Sequence, residues 1–244
     1  MKYLTEEARK LWKEIKTLEF REVYIFLSAS IIIYISIVFT SPSFYRKYFD
    51  SNWLNSIIYW YIADGLLMFL IPVLSIKLVL KEKLSDFGFT LGDKKFGLIT
   101  FAIFFISMFI TVWIVSSSRQ FAMAYPQGGD SVRNNMGFLL IYELFILVYM
   151  LGWEFMWRGY MLFGLKKRFG YYSIFIQMIP FFILHKGKPE IELFASILAG
   201  IILGIQALRS RSFIYSWILH WLVMVSIDTI SILRYNASYY NIFF

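Results

Sequence analysis

Asp64, Glu143, Glu154, Arg158, His185, His220 and Asp228 are ionisable side chains inside apolar stretches of this chain. A charged Asp, Lys or Arg costs about 2.5–3.5 kcal/mol at mid-bilayer, so each such group implies a partner or a task. Glu154 and Arg158 are four apart in Trp153-Glu154-Phe155-Met156-Trp157-Arg158-Gly159. That spacing puts both on one helical face, where opposite charges lower each other's cost. A pair that only fixes helix packing would be spaced the same way. His185 and His220, the only histidines, lie on two other apolar stretches. His185 closes the run Phe181-Phe182-Ile183-Leu184-His185, and Lys186-Gly187-Lys188-Pro189 follows. Gly and Pro interrupt a helix there, and the freed backbone groups need a cavity or protein around them.

Two chemistries are open to these residues. Glu154, His185 and His220 together can supply a three-ligand metal site with an open water position, and zinc is the divalent ion that suits it. Alternatively, the carboxylate acts as general base on a water polarised by histidine or by metal. Either route makes a nucleophile for amide hydrolysis. The chain has no cysteine, which excludes thiolate metal sites, disulfides and a cysteine nucleophile.

The elements that must position these groups are membrane spans. The chain has 244 residues, 59% hydrophobic and 16% charged, with a mean hydropathy of +0.63. No soluble domain hides that much apolar surface. Apolar stretches run over roughly 23–40, 55–80, 96–116, 137–165, 171–185 (short), 191–208 and 213–233. They predict an all-α polytopic bundle of about seven transmembrane helices. Residues 1–22 carry Leu4, Ala8, Leu11, Trp12, Ile15 and Leu18 at helical spacing beside Lys10, Lys13 and Lys16. This predicts an amphipathic helix in the cytosol or on an anionic inner surface. Residues 23–136 then form the first spans, 137–233 the core that carries the motifs, and 234–244 a tail.

The net charge of +8 would suit nucleic acid only as a patch on a folded surface, and here it sits in short clusters between spans. Of 24 Lys and Arg, 16 lie in segments that an N-inside topology puts on the inner side and 7 in the outer segments. That bias predicts a cytoplasmic N-terminus, with the lipid bilayer and not nucleic acid as partner. At 1.5 Å per residue, Glu154, His185 and His220 lie about 18, 21 and 12 Å from the inner ends of their spans. All three fall in one band of a core about 30 Å thick, so they can meet.

In order and spacing these motifs resemble those of the CPBP family (CAAX-protease and bacteriocin-processing, also called Abi) of intramembrane proteases. That family's pattern is EExxxR, then FxxxH, then HxxxN or HxxxD. Here it reads Trp153-Glu154-x-x-x-Arg158, Phe181-x-x-x-His185 and His220-x-x-x-Met224, within roughly residues 137–233. The resemblance implies an endopeptidase of a multi-pass bacterial cell-membrane protein. It implies peptide substrates such as prenylated tails, bacteriocin precursors or membrane-protein segments. It assigns Glu154, Arg158, His185 and His220 to catalysis. Trp153 stands where the family has its water-activating Glu, and Met224 where a hydrogen-bonding Asn or Asp is expected. In one reading Glu154 takes over as base, Glu190 or Glu192 assists, and Asp228 supplies the missing polar group. In the other, the chain keeps the fold without hydrolysis and binds a peptide or membrane partner, as an immunity protein or scaffold. A small transporter or proton relay is the third class, and no internal repeat favours it.

Overall fold

The computed structural model describes residues 1–237, and among them no strand occurs. Helix α1 (Lys2–Ile15) stops well short of residue 22, and Leu4, Leu11, Trp12 and Ile15 are exposed, so its apolar stripe covers nothing else in the chain. Then follow α2 (Phe20–Phe39), the short α3 (Pro42–Tyr48) and α4 (Trp53–Leu74). The ends are set by local chemistry. Ser41 Oγ accepts the Phe44 N–H at 3.2 Å and Pro42 opens α3, while Asn52 Oδ1 accepts the Asn55 N–H at the start of α4. Pro72 lies inside α4, and three residues later the backbone widens into a π-helical segment, Ser75–Leu80.

Beyond α5 (Lys94–Val115) come two short helices, α6 (Arg119–Ala124) and α7 (Asp130–Arg133). The span that holds the Glu–Arg pair is continuous from Met136 to Phe169. It consists of α8 (Met136–Glu154), a π-helical segment Phe155–Met161 and α9 (Leu162–Phe169). Gly170, at φ 54°, ends it, as the Gly after Lys166-Lys167-Arg168 leads one to expect. The chain closes with α10 (Tyr172–Ile183), α11 (Glu190–Ser210) and α12 (Ile214–Ala237). The expected tail 234–244 is corrected at its start, because residues 234–237 still belong to α12; residues 238–244 lie outside the described residues.

Among the described residues six helices are long and apolar enough to cross a membrane; the seventh expected span, 171–185, is the exception. Its helix, α10, has 12 residues and so covers about 18 Å of a core about 30 Å thick. The segment after it, His185–Pro189, is not helical and turns the chain into α11, and Lys188 there meets Tyr125 and Gln127 of the loop between α6 and α7. Irregular backbone at this depth is tolerated because protein surrounds it.

Two packing seams place the site. α8 crosses α4 where Gly152 faces Gly65: a Cβ on Gly65 would lie 2.8 Å from Tyr149 Cα, and one on Gly152 would overlap the Gly65 carbonyl oxygen. Only backbone against backbone fits there. On its other side α8 packs against α12, fastened by indole N–H groups, with Trp217 Nε1 donating to Leu147 O and Trp221 Nε1 to Glu143 O, each at 3.0 Å.

Candidate active site

Glu154 is the last residue of α8 and Arg158 lies in the π-helical segment that follows; neither has any exposed surface. Arg158 Nη1 donates to Glu154 Oε1 at 3.0 Å. The guanidinium lies 4.0 Å from the Phe181 ring centroid, and Nη2 approaches the Ala199 carbonyl at 3.5 Å. The same Glu154 Oε1 is met by His220 Nδ1 at 2.6 Å, across the α8–α12 seam. With the carboxylate ionised, Nδ1 is the donor and His220 Nε2 is left as the ring's free nitrogen. Glu154 is therefore held from two sides, and it orients His220.

His185 is fixed differently. Its Nδ1 lies 2.7 Å from the carbonyl of Phe181, one turn back. A carbonyl only accepts, so Nδ1 carries the proton and Nε2 is the lone-pair nitrogen. Phe181 ties the site together. Its ring contacts the rings of His185 (4.6 Å between centroids), Trp153 (5.6 Å) and His220 (6.3 Å), besides the Arg158 guanidinium. The i,i+4 spacing of FxxxH puts ring and imidazole on one face of the helix end.

A cavity of about 30 Å3 opens between these elements, with His185, His220, Lys188, Glu192, Trp153 and Met224 in its wall. That is room for one or two waters. Lys188 Nζ donates to Gln127 Oε1 at 2.9 Å and to Tyr125 OH at 3.3 Å, and Tyr125 OH in turn donates to Glu192. Trp153 is buried, stands edge-on to His185 at 5.6 Å, and its Nε1–H has no hydrogen-bond partner among the described residues. Sequence reasoning overlooked Lys188, Tyr125 and Gln127. The positive charge of Lys188 beside a helix break was the available signal.

The expected residues separate into those the cavity brings together and those it does not. His185, His220 and Glu192 share its wall; Glu154 is not in the wall and meets it through His220. Glu190 is exposed at the first turn of α11 and lines nothing. Asp228 is fully buried beside Glu143 and is not itself in the cavity wall, but its charge acts on Lys188 and Glu192, which are. Asp64 accepts from Thr40 Oγ1 at 2.8 Å, a bond between α4 and the end of α2 that is structural.

The three expected metal ligands face different partners. One oxygen of Glu154 is shared by Arg158 and His220, and His220 presents Nδ1 to it instead of turning both groups toward a common ion. Among the described residues no group of three or more His, Asp or Glu is placed to hold a metal ion. Glu154, His185 and His220 do not fit a three-ligand site.

Residues 135–226 match the family model of the Rce1-like type II CAAX prenyl endopeptidases. Over this stretch the chain is similar to the CAAX-protease family. No curated protein and no solved structure matches the chain. The matched stretch runs from the start of α8 into α12 and contains all of the CAAX-protease-like motif residues here, Glu154, Arg158, Phe181, His185 and His220. It also contains both departures, Trp153 and Met224, which stand opposite the two histidines in the cavity wall.

Proposed function

We propose that this CAAX-protease-type membrane protein is an intramembrane endopeptidase whose water is activated by His220, with Glu154 behind it. The observation that carries the reading is the 2.6 Å contact between Glu154 Oε1 and His220 Nδ1, which leaves Nε2 as the basic nitrogen of a ring in the cavity wall. A carboxylate on the far nitrogen of an imidazole fixes its tautomer and stabilises the imidazolium that forms. His220 Nε2 then takes a proton from water as the oxygen attacks the scissile carbonyl carbon. The C–N bond breaks on collapse, and the proton passes from Nε2 to the leaving amine. His185 Nε2, an acceptor, can hold the same water by its second hydrogen. The carbonyl oxygen that gains charge needs donors, and the wall offers two: the Lys188 ammonium and the Trp153 N–H. No step needs a metal, and chelation with EDTA leaves turnover unchanged. The substrate is a peptide, prenylated tail or membrane-protein segment that enters from the bilayer.

The test is turnover of a peptide library by purified protein in proteoliposomes. Glu154→Gln and His220→Ala each lower kcat by roughly 10²-fold or more. The double variant is no worse than either alone, because the two act as a unit. Equal turnover of wild type and Glu154→Gln would remove the pair from the mechanism. A second reading, non-catalytic binding of a peptide or membrane partner, is favoured by Trp153, whose indole occupies the wall at the family's base position. It predicts that both variants keep the cellular phenotype at normal abundance.

A further inference from the structure

The end of the bundle that carries the N-terminus holds a second cavity, of about 710 Å3, that shares no residue with the first. Three separate spans bring cations to it. Arg21 comes from the first turn of α2, Lys166 and Lys167 from the last turn of α9, and Arg211 from the turn between α11 and α12. Arg21 is already engaged: Nε and Nη2 meet Glu82 at 2.8 and 3.1 Å, and Nη1 donates to the Gly164 carbonyl. The side chains of Lys166, Lys167 and Arg211 have no ion pair or hydrogen bond among the described residues. Against these three the wall offers one carboxylate, Asp86, with the hydroxyls of Ser85 and Thr90 and the ring of Phe163.

The wall is pre-shaped. The loop before α5 is pinned to the turn after α11: the Asp93 N–H donates to Ser210 O at 2.7 Å, the Phe213 N–H to Gly88 O at 3.2 Å, and Tyr215 OH to Leu91 O at 2.8 Å. Gly92, at φ 47°, sits so close to Ser210 that a Cβ would overlap its carbonyl oxygen. Lys166, Lys167 and Arg211 are exposed at this open hollow and carry like charge, so an anion that bridges them is favoured. The hollow lies where spans end, at headgroup depth, and its volume is that of a small-ligand site.

We propose that this cavity binds the phosphate of an anionic phospholipid from the adjacent leaflet, with Lys166, Lys167 and Arg211 as its donors and Phe163 against the start of the lipid chain. Lys and Arg are the side chains that suit phosphate oxygens. The experiment follows the unfolding midpoint of the full chain in detergent during titration with short-chain phosphatidylglycerol, short-chain phosphatidylcholine or inorganic phosphate. Phosphatidylglycerol raises the midpoint and the other two do not. In K166Q/K167Q/R211Q the apparent affinity falls at least tenfold, in K166R/K167R/R211K it is retained, and in K10Q/K13Q, on α1, it is unchanged. If the triple Gln variant fails to elute as a single species, R211Q alone carries the comparison. A response to inorganic phosphate equal to that for phosphatidylglycerol overturns the lipid assignment. No preference over phosphatidylcholine, or an undiminished response in the variants, overturns the site.

Discussion

Arg158 combines three functions that its residue type alone makes compatible. It neutralises Glu154 at 3.0 Å, places its guanidinium carbon 4.0 Å from the Phe181 ring centroid, and does both without exposed surface. A lysine keeps the charge and loses the guanidinium at the ring. Arg158→Lys is therefore expected to lower kcat/KM roughly tenfold, the worth of one desolvated cation–aromatic contact. Arg158→Met leaves a buried carboxylate short of its partner, and about 3–5 kcal/mol of stability is expected to go with it; chemical unfolding in lipid-like detergent measures this. At this scale much was legible beforehand. The i,i+4 spacing announced the Glu–Arg pair, and depth along the spans announced that Glu154 and His220 could meet. What spacing could not reveal is occupancy: Arg158 and His220 both meet one oxygen of Glu154, Oε1. Lys188 was illegible for another reason, since its partners Tyr125 and Gln127 lie more than sixty residues away in sequence.

At the scale of elements, the site depends on how α8 is held and on how it changes pitch. Its outer part is set by the Gly65–Gly152 crossing with α4, where backbones touch. A branched side chain there has no flexible neighbour to displace, so Gly152→Val pushes α8 off α4, two residues before Glu154. Overpacking of this kind costs about 1–3 kcal/mol or more. Activity is expected to fall together with stability, and an increase in side-chain volume at the exposed Leu144 serves as the neutral comparison. A Gly152→Val protein with unchanged unfolding and turnover would mean the crossing is not needed. The π-helical stretch Phe155–Met161, which carries Arg158, was not readable in advance, because nothing in its composition distinguishes it from α-helix. Such segments commonly mark functional positions. The breaks at Gly170 and at Gly187-Lys188-Pro189, by contrast, were plain from residue type.

For the whole molecule, composition alone led to an all-α membrane bundle, and the structure bears this out with six full spans and a short seventh helix. The seventh was expected to be short, and its helix ends at Ile183, two residues before the apolar stretch does. Phe175, Ile179 and Ile183 are exposed on α10, so on this side the chain offers lipid an apolar wall about 18 Å tall against a hydrocarbon layer of about 30 Å. That is a hydrophobic mismatch, and the bilayer relieves it by thinning locally. A dimple of this kind would form beside His185, which follows the end of α10. Acyl chain length then becomes a control on catalysis. Turnover in phosphatidylcholine proteoliposomes is expected to be highest with short chains and to fall steadily as they lengthen, while a wall extended by a lipid-facing helical insertion after Ile183 would shift the optimum toward thicker membranes.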